Sequence, residues 1–123
     1  MVCAQGKAVL EVIEREKLQE NALQVGNQIL AGLAKLQLKH PLIGDIRGRG
    51  LMIGVELVKD RQTKEPAKGE CARILELSRE MGLLLGKGSL WGQTIRIKPP
   101  FCLTMADADF LVEVLDAAFA KTG

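Results

Sequence analysis

Apolar residues recur every three or four positions between residues 18 and 36, with polar residues between them. The positions are Leu18, Ala22, Val25, Ile29, Leu33 and Leu36. Because this spacing follows the turn of an α-helix, it predicts a helix with one buried stripe. Pro41 disfavours helical geometry in the residue before it, so we expect the helix to end near His40. The imidazole of His40 can then lie close to the last free carbonyl groups.

A second helical pattern precedes this helix. In the segment VCAQGKAVLEVIEREK, the apolar residues Val9, Val12 and Ile13 share one face of a helix. No capping residue stands before the segment, although a helix usually begins at one. We therefore interpret the long N-terminal helical region as part of a longer polypeptide.

Four short segments have the composition of β-strands. The segments from Ile43 to Ile46 and from Leu51 to Val58 are rich in β-branched and aliphatic side chains, and glycines separate them. Further along the chain, LLLGK and TIRIK flank the turn-rich segment GSLWGQ. These two segments predict two more short strands.

The remaining segments predict a polar loop and two more helices. The loop is DRQTKEPAKGE, and the helix after it is stopped by Gly82. The last helix begins after Thr104, where Asp107 can complete a weak capping box. The predicted inner faces are Cys71, Ile74, Leu75 and Met81 in the first helix, and Phe110, Leu111, Val114, Leu115 and Ala118 in the second. This order of elements predicts an α+β fold in which helices cover a small sheet.

The composition narrows the classes of protein that fit this layout. The chain has 123 residues, of which 47% are hydrophobic and 26% charged, with a formal net charge of +2. These values are typical of one globular domain, and they give no sign of disorder or of a nucleic-acid-binding surface. No apolar run approaches the roughly 20 residues that span a bilayer, and no leader segment is recognisable. We therefore expect no nucleic-acid partner and no membrane partner.

The three cysteines, Cys3, Cys71 and Cys102, lie far apart in the sequence and form no CxxC pair. Their odd number argues against a disulfide framework, and His40 is the one histidine that could join them as a metal ligand. We therefore predict no disulfide and no metal site, which favours a reducing compartment.

Two glycine-rich segments resemble nucleotide-binding loops. GRGLMIG, at residues 48–54, has the glycine spacing of a dinucleotide fingerprint, but a predicted strand follows it where a helix N-terminus should hold the phosphates. GLLLGKGS, at residues 82–89, is one residue short of a P-loop and lacks the Ser or Thr that binds magnesium. We therefore interpret Gly48 and Gly50 as positions that need an unusual φ or close packing, and we expect Lys87 at a strand end facing water.

The segment TIRIKPPFCLT contains the candidate functional residue. Ile95 and Ile97 are predicted to face the core because they alternate with two cations. Those cations, Arg96 and Lys98, then face the opposite side, and Pro99 ends the strand. The pattern alone leaves two interpretations of Arg96. It is either a solvated surface arginine, or a rigidly held receptor that binds a small carboxylate through two parallel hydrogen bonds.

Three segments, in this order and spacing, resemble the C-terminal small domain of class III aminotransferases: IGDIRGRGLMIGVELV, MGLLLGKGS and IRIKPPFCLT. The resemblance runs over essentially the whole chain, and the Arg-x-x-Pro-Pro motif is its most specific part. It implies a small, mostly antiparallel sheet of three to four strands covered by helices, as in the C-terminal domain of fold type I aminotransferases. It also implies that Arg96 binds the α-carboxylate of the substrate.

Within this class, the chain resembles the alanine:glyoxylate branch. The resemblance implies a parent enzyme that uses pyridoxal 5'-phosphate (PLP) to move an amino group from an amino acid such as alanine to a keto acid such as glyoxylate. It further implies a homodimer and, for this branch, a mitochondrial location, although the chain itself contains no targeting signal.

The resemblance also indicates which parts of the enzyme are missing. In the family, the Schiff-base lysine, the phosphate-binding turn and the acidic partner of the pyridine nitrogen belong to a large domain that precedes this segment. Residues 1–123 are therefore predicted to be the small domain, truncated on its N-terminal side, with Arg96 as its site residue and no catalytic or cofactor-binding residue. We expect this chain alone to be inactive and not to bind the cofactor. A free-standing α+β binding or assembly module remains the alternative.

Overall fold

The computed structural model describes residues 1–122, in which four helices and four strands follow one another in the predicted order. The elements are α1 (Val2–Arg15), α2 (Leu18–Lys39), β1 (Ile43–Arg49), β2 (Met52–Leu57), α3 (Lys68–Glu80), β3 (Gly86–Gly88), β4 (Thr94–Ile97) and α4 (Met105–Thr122). The α+β fold is confirmed. Within residues 1–122, no helix combines the length and the apolar character needed to cross a membrane.

The four strands form one sheet in the order β1-β2-β4-β3, and every neighbouring pair is antiparallel. The strands β1 and β2 form a hairpin whose turn contains Gly50 at a φ of +58°, which L side chains rarely adopt. A Cβ atom on Gly48 would lie 2.5 Å from the carbonyl oxygen of Met52. Both predictions for these glycines, an unusual φ or close packing, are confirmed.

The sheet has two faces of different character. On the face that we call the core face, Ile53, Val55 and Leu57 of β2 and Ile95 and Ile97 of β4 are buried. These side chains join one apolar core with residues of α2, α3 and α4. The residues between them point to the other side, which we call the open face. Three helices therefore cover one face of the sheet and leave the open face to polar side chains.

The N-terminal helical region consists of two helices, as the two separate apolar patterns predicted. Lys17, at a φ of 51° and ψ of 47°, separates α1 from α2. In α2, the predicted stripe is buried at Val25, Ile29, Leu33 and Leu36, and the helix ends at Lys39, next to the predicted end. In α1, by contrast, none of the residues is buried. The apolar face predicted for α1 therefore exists, but residues 1–122 cover it only in part, since Val12 and Ile13 are half-buried and Val9 is exposed.

The prediction that α4 buries Phe110 is wrong. The side chain of Phe110 is 45% exposed, whereas Ala108, Leu111 and Leu115 are buried. Successive residues on an α-helix are about 100° apart, so a stripe centred on Leu111 and Leu115 leaves Phe110 at its margin. There the ring lies beside Gly82, where a Cβ atom would be 3.9 Å from Cζ of Phe110.

The strand predicted for LLLGK is also shorter than expected, because β3 begins only at Gly86. The pairing of Gly86 with Arg96 would, if continued, bring Leu83 opposite Pro99. Proline has no backbone N–H to donate to a neighbouring strand, so the ladder cannot extend in that direction. Residues 83–85 therefore lead into the edge strand without belonging to it.

His40 does not cap α2 with its ring, contrary to the prediction. Its Nε2 atom lies 2.7 Å from Oδ1 of Asp116, and its ring stacks on Phe119 with the ring centroids 5.4 Å apart. The last carbonyl groups of α2 are bound instead by Arg61, which donates to the carbonyl oxygen of Gln37 and to that of His40. An arginine from the loop between β2 and α3 thus takes the capping role, because its long side chain reaches the end of α2.

Candidate functional site

Arg96 lies in the middle of β4 and points to the open face of the sheet. Its neighbours Ile95 and Ile97 are fully buried on the core face, while Arg96 and Lys98 are exposed. The predicted alternation is therefore confirmed. It follows from the pleat of the strand, which sends successive side chains to opposite faces. The core contacts of the two isoleucines fix the register of β4 and hence the direction in which Arg96 points.

The residues beside Arg96 in the sheet have no side chains. Arg96 pairs with Gly54 on β2 and with Gly86 on β3. A Cβ atom placed on Gly86 would lie 3.7 Å from Nη2 and 3.8 Å from Nε of Arg96. The guanidinium therefore lies directly over the bare backbone of Gly86, at the edge of the sheet.

A cavity of about 560 Å³ opens next to this guanidinium, between the ends of β3 and β4 and the first turns of α4. Its walls are mostly apolar, with Arg96, Lys98 and Asp107 as the charged groups. The lining residues are Leu83, Leu84, Leu85, Gly86, Arg96, Ile97, Lys98, Pro99, Leu103, Asp107, Phe110 and Leu111. Apolar walls lower the local dielectric constant and strengthen the attraction between a cation and an anionic ligand.

The cross-strand row of paired residues that contains Arg96 runs from Arg47 through Gly54 and Arg96 to Gly86. Arg96 differs from Arg47, the other arginine in this row. Arg47 lies on the far side of Gly54, and its Nη1 atom is 2.7 Å from Asp45 and 3.2 Å from Glu56. These hydrogen bonds to Asp45 and Glu56 raise the pKa of Arg47. Among residues 1–122, the side chain of Arg96 has neither a hydrogen bond nor an ion pair. Arg96 is thus the arginine of this row that can receive an external anion.

Glu56, a carboxylate on the strand next to Arg96, is bound by residues other than Arg96. Oε1 of Glu56 accepts a hydrogen bond of 3.3 Å from Gln93, whose own oxygen accepts one of 2.5 Å from Ser89. Its other oxygen binds Arg47. This chain of hydrogen bonds ties the β3–β4 loop to β1 and engages both oxygens of Glu56.

The rim of the cavity is held by contacts from two helices. Asn21 of α2 donates to the carbonyl oxygens of Phe101 and Leu103, at 2.7 and 3.0 Å. At the start of α4, the backbone N–H of Thr104 donates to Asp107 at 3.2 Å, and that of Asp107 donates to the Thr104 hydroxyl at 3.1 Å. The predicted capping box is therefore confirmed. It fixes the carboxylate of Asp107 within the helix end, although this group also faces the cavity.

Two features of the site were not predicted. Gly54 is the last glycine of GRGLMIG and Gly86 is the second glycine of GLLLGKGS, so both segments that resembled phosphate loops contribute to the surroundings of Arg96. A glycine inside a predicted strand is a signal of close approach, and it could have drawn attention to Gly86. Lys87 pairs with Ile95 and is exposed, so it does not join Arg96 on the open face.

Residues 1–119 match the family model described as Aminotransferase class-III. The alanine–glyoxylate aminotransferase 2 homolog 2, mitochondrial, of Arabidopsis thaliana is 54% identical over 116 residues, which are 94% of this chain and 24% of that protein. The alanine–glyoxylate aminotransferase 2, mitochondrial, of Homo sapiens is 47% identical over 122 residues, which are 98% of this chain and 24% of that protein. The chain thus spans about a quarter of the length of these relatives.

A solved structure has the same fold over nearly all of the chain. It is the crystal structure of an amine transaminase from an uncultivated Pseudomonas species in a PLP-bound form. The match has a TM-score of 0.88 and 40% sequence identity, and it covers 98% of this chain and 27% of that one. The small domain expected from the resemblance therefore agrees in fold with part of a transaminase.

Proposed function

Because the chain belongs to the class III aminotransferases, we propose that residues 1–123 are the C-terminal small domain of a longer aminotransferase. The share of its relatives that it spans, about a quarter, supports this assignment. The parent enzyme would then move an amino group from an amino acid such as alanine to a keto acid such as glyoxylate, as the names of the relatives suggest. PLP would supply the electron sink for this chemistry in the parent.

The part that this chain plays is to bind the α-carboxylate of the substrate through Arg96. One observation carries the proposal: the guanidinium of Arg96 lies unpaired over Gly86 beside an open, mostly apolar cavity. A planar guanidinium can donate two parallel hydrogen bonds to a carboxylate, which fixes both its position and its orientation. Binding of this kind would present the amino group of every substrate in one place, whatever its side chain.

The residues of this chain do not fit the covalent attachment of PLP. A lysine that forms a Schiff base must lose its proton, which burial or a neighbouring cation promotes. All lysines of the chain are exposed. We therefore propose that the attachment site belongs to the remainder of the parent enzyme, and that residues 1–123 contribute substrate positioning alone. The isolated chain is accordingly proposed to be inactive.

The proposed parent enzyme also supplies partners for this chain. Its large domain is the first, and a second subunit in a homodimer is the other. The partly uncovered apolar face of α1 supports the first of these contacts, because a face of this kind is normally buried.

We propose a mitochondrial location for the parent, since both relatives described above are named mitochondrial.

The proposal is tested by exchanging Arg96 for lysine in a complete enzyme. Residues 1–123 replace the matching segment of the Arabidopsis thaliana relative, and kinetics are measured with alanine and glyoxylate. Lysine keeps the positive charge but lacks the planar guanidinium group with its parallel N–H donors. At least one charge-assisted hydrogen bond to the carboxylate is therefore lost. Such a loss costs about 1.5–3 kcal/mol, which lowers kcat/KM by roughly tenfold to a hundredfold. PLP content should not change.

Lys98→Arg is the matched control, because Lys98 shares the open face and the same cavity but keeps its charge on exchange. We expect this variant to retain kcat/KM within about twofold. An Arg96→Lys enzyme with unchanged kcat/KM would leave Arg96 as a solvated surface arginine and refute the proposal.

A further inference from the structure

The two residues that pair with Arg96 are both glycines, which are uncommon within β-strands. A glycine in a strand weakens it, because it contributes no side chain to packing and loses more backbone entropy on folding. Neither Gly54 nor Gly86 has a positive φ; within residues 1–122 that geometry occurs at Gly50, Gly82 and Gly92. The backbone at both positions is therefore compatible with any L-residue. What the glycines provide is space above the strand.

We propose that Gly86 positions the guanidinium of Arg96 for carboxylate binding, an inference that rests on the carboxylate role proposed for Arg96. The guanidinium lies over Gly86, with Nη2 and Nε at 3.7 and 3.8 Å from the site of a Cβ atom. A larger side chain at position 86 would occupy the space that the guanidinium fills. Arg96 would then have to turn away from the rim of the cavity that both residues line.

The size of the side chain at position 86 decides the effect. Distances of 3.7 and 3.8 Å are ordinary van der Waals contacts, so the single methyl group of alanine fits beneath the guanidinium. Valine adds two further carbons and fills two of the three staggered positions around its Cα–Cβ bond. Whichever rotamer valine adopts, at least one of its methyl groups therefore takes up space beside Cβ that stays empty in glycine and in alanine.

Gly54 contributes in a different way, on the other side of Arg96. It separates Arg96 from Arg47 in the row, so the Cα atoms of the two arginines lie two strand spacings apart, or roughly 9–10 Å. A Cβ atom on Gly54 would meet Thr94 at 3.5 Å and no atom of Arg96 within residues 1–122. The contact that orients the guanidinium is therefore the one with Gly86.

Gly88 provides the matched control. It lies on the same strand and the same face as Gly86, two residues further along, and it pairs with Thr94. A Cβ atom on Gly88 would meet no atom of residues 1–122 within 4 Å. Valine favours strands, so Gly86→Val and Gly88→Val change the propensity of β3 equally. A difference between the two variants then reports the contact with Arg96.

The test uses the complete chimaeric enzyme described above, with the variants Gly86→Ala, Gly86→Val, Gly88→Val and Arg96→Lys. Gly86→Val is expected to raise KM for alanine about tenfold or more, comparable to the loss of one charge-assisted hydrogen bond, with kcat and PLP content much less affected. Gly88→Val should keep KM within roughly twofold, and the KM of Gly86→Ala should lie between those of the wild type and Gly86→Val. Equal KM values in Gly86→Val and Gly88→Val would overturn the inference.

A second measurement does not depend on activity or on the folding of a variant. In the 123-residue chain, nuclear Overhauser effects are recorded between the Nε–H of Arg96 and the α protons of Gly86. Their presence is expected from the contact distance, and their absence would overturn the inference. If these signals are present while Arg96→Lys leaves kcat/KM unchanged, the proposed function has failed and the contact between Gly86 and Arg96 has only a structural role.

Discussion

At the residue scale, one close approach of backbones involves two glycines on different elements. A Cβ atom on Gly26, in α2, would overlap the carbonyl oxygen of Gly50 in the β1–β2 turn. Backbone atoms of a turn cannot move aside as the end of a flexible side chain can. The absence of a side chain at position 26 therefore lets α2 lie directly against the hairpin that carries Gly54.

Gly26→Ala should destabilise the chain, although alanine is the better helix former. Inserting a methyl group into a filled contact typically costs about 1–3 kcal/mol, which exceeds the gain in helix propensity of about 1 kcal/mol or less. Urea denaturation of wild type and variant gives the difference in the free energy of unfolding. Gly6→Ala is the control, because a Cβ atom there meets no atom of residues 1–122 within 4 Å. A Gly26→Ala chain as stable as the wild type would show that this contact is not tight.

The site could be predicted from the sequence only in part. The exposure of Arg96 follows from its alternation with Ile95 and Ile97, which is a local pattern. Its position between Gly54 and Gly86 depends on two strand pairings, one of which joins residues 42 positions apart. A single sequence contains no local signal for such a pairing, so the surroundings of Arg96 required the structure.

At the scale of elements, one carboxylate joins the ends of α2 and α4. Asp116 of α4 lies 2.7 Å from Nε2 of His40 and 2.9 Å from Nζ of Lys39. The hydrogen bond with His40, and then that with Lys39, lowers the pKa of Asp116. The charged form of Asp116 is thus favoured by folding, which links this contact to pH.

Asp116→Asn should lower stability at neutral pH and have less effect in acid. Because the pKa of Asp116 is lowered in the folded state, the stabilisation that its carboxylate provides is fully present above the unfolded-state pKa of about 3.9. This stabilisation is lost as the pH falls through the folded-state pKa. We expect a Tm lower by roughly 2–4 °C at pH 7, and a difference that shrinks below about pH 4. Thermal unfolding followed by circular dichroism at several pH values measures both.

Glu113→Gln serves as the control for this prediction, since Glu113 lies on the same helix and has no ion pair within residues 1–122. Its Tm should follow that of the wild type at every pH. A Tm difference for Asp116→Asn that stays constant from pH 7 to pH 3 would contradict the linkage.

The elements themselves were predicted with unequal success, for a physical reason. The bounds of α2 follow from a repeat of apolar residues and from Pro41, both of which act within a few residues. The short strand β3 has no such repeat, because its three residues include Gly86 and Gly88. Its extent is set by its partner β4 and by Pro99, which lie on another part of the chain.

At the scale of the whole molecule, the chain is not expected to form a specific covalent adduct with PLP. Every lysine is exposed, and nothing in the chain singles out one of them for reaction. After mixing with PLP and reduction with borohydride, mass spectrometry should find low modification spread over several lysines. N-acetyl-lysine, treated in the same way, provides the reference rate of modification for a free lysine side chain. Stoichiometric modification of one lysine would show that the chain holds a cofactor site of its own.

The face of α1 is an apolar surface that residues 1–122 leave partly uncovered. With residues of α2 and the segment after Pro100, it forms a groove of about 340 Å³ that is almost entirely apolar. The lining residues are Ala8, Val9, Val12, Ile13, Leu18 and Phe101. Exposed apolar surface of this kind drives association, because burying it removes ordered water from contact with it.

The 123-residue chain is therefore expected to self-associate through this groove. Sedimentation velocity at several concentrations should show an average mass that rises with concentration, because α1 finds its cover on another copy. Val9→Lys should shift the chain towards the monomer, since a lysine in the lining of the groove would have to be desolvated in the contact. Leu38→Lys is the matched control: Leu38 is 89% exposed on α2 and lies outside the groove, so its exchange should leave association unchanged. A wild-type chain that stays monomeric at every concentration would mean that the face of α1 is tolerated in water, and that its apolar residues need no partner.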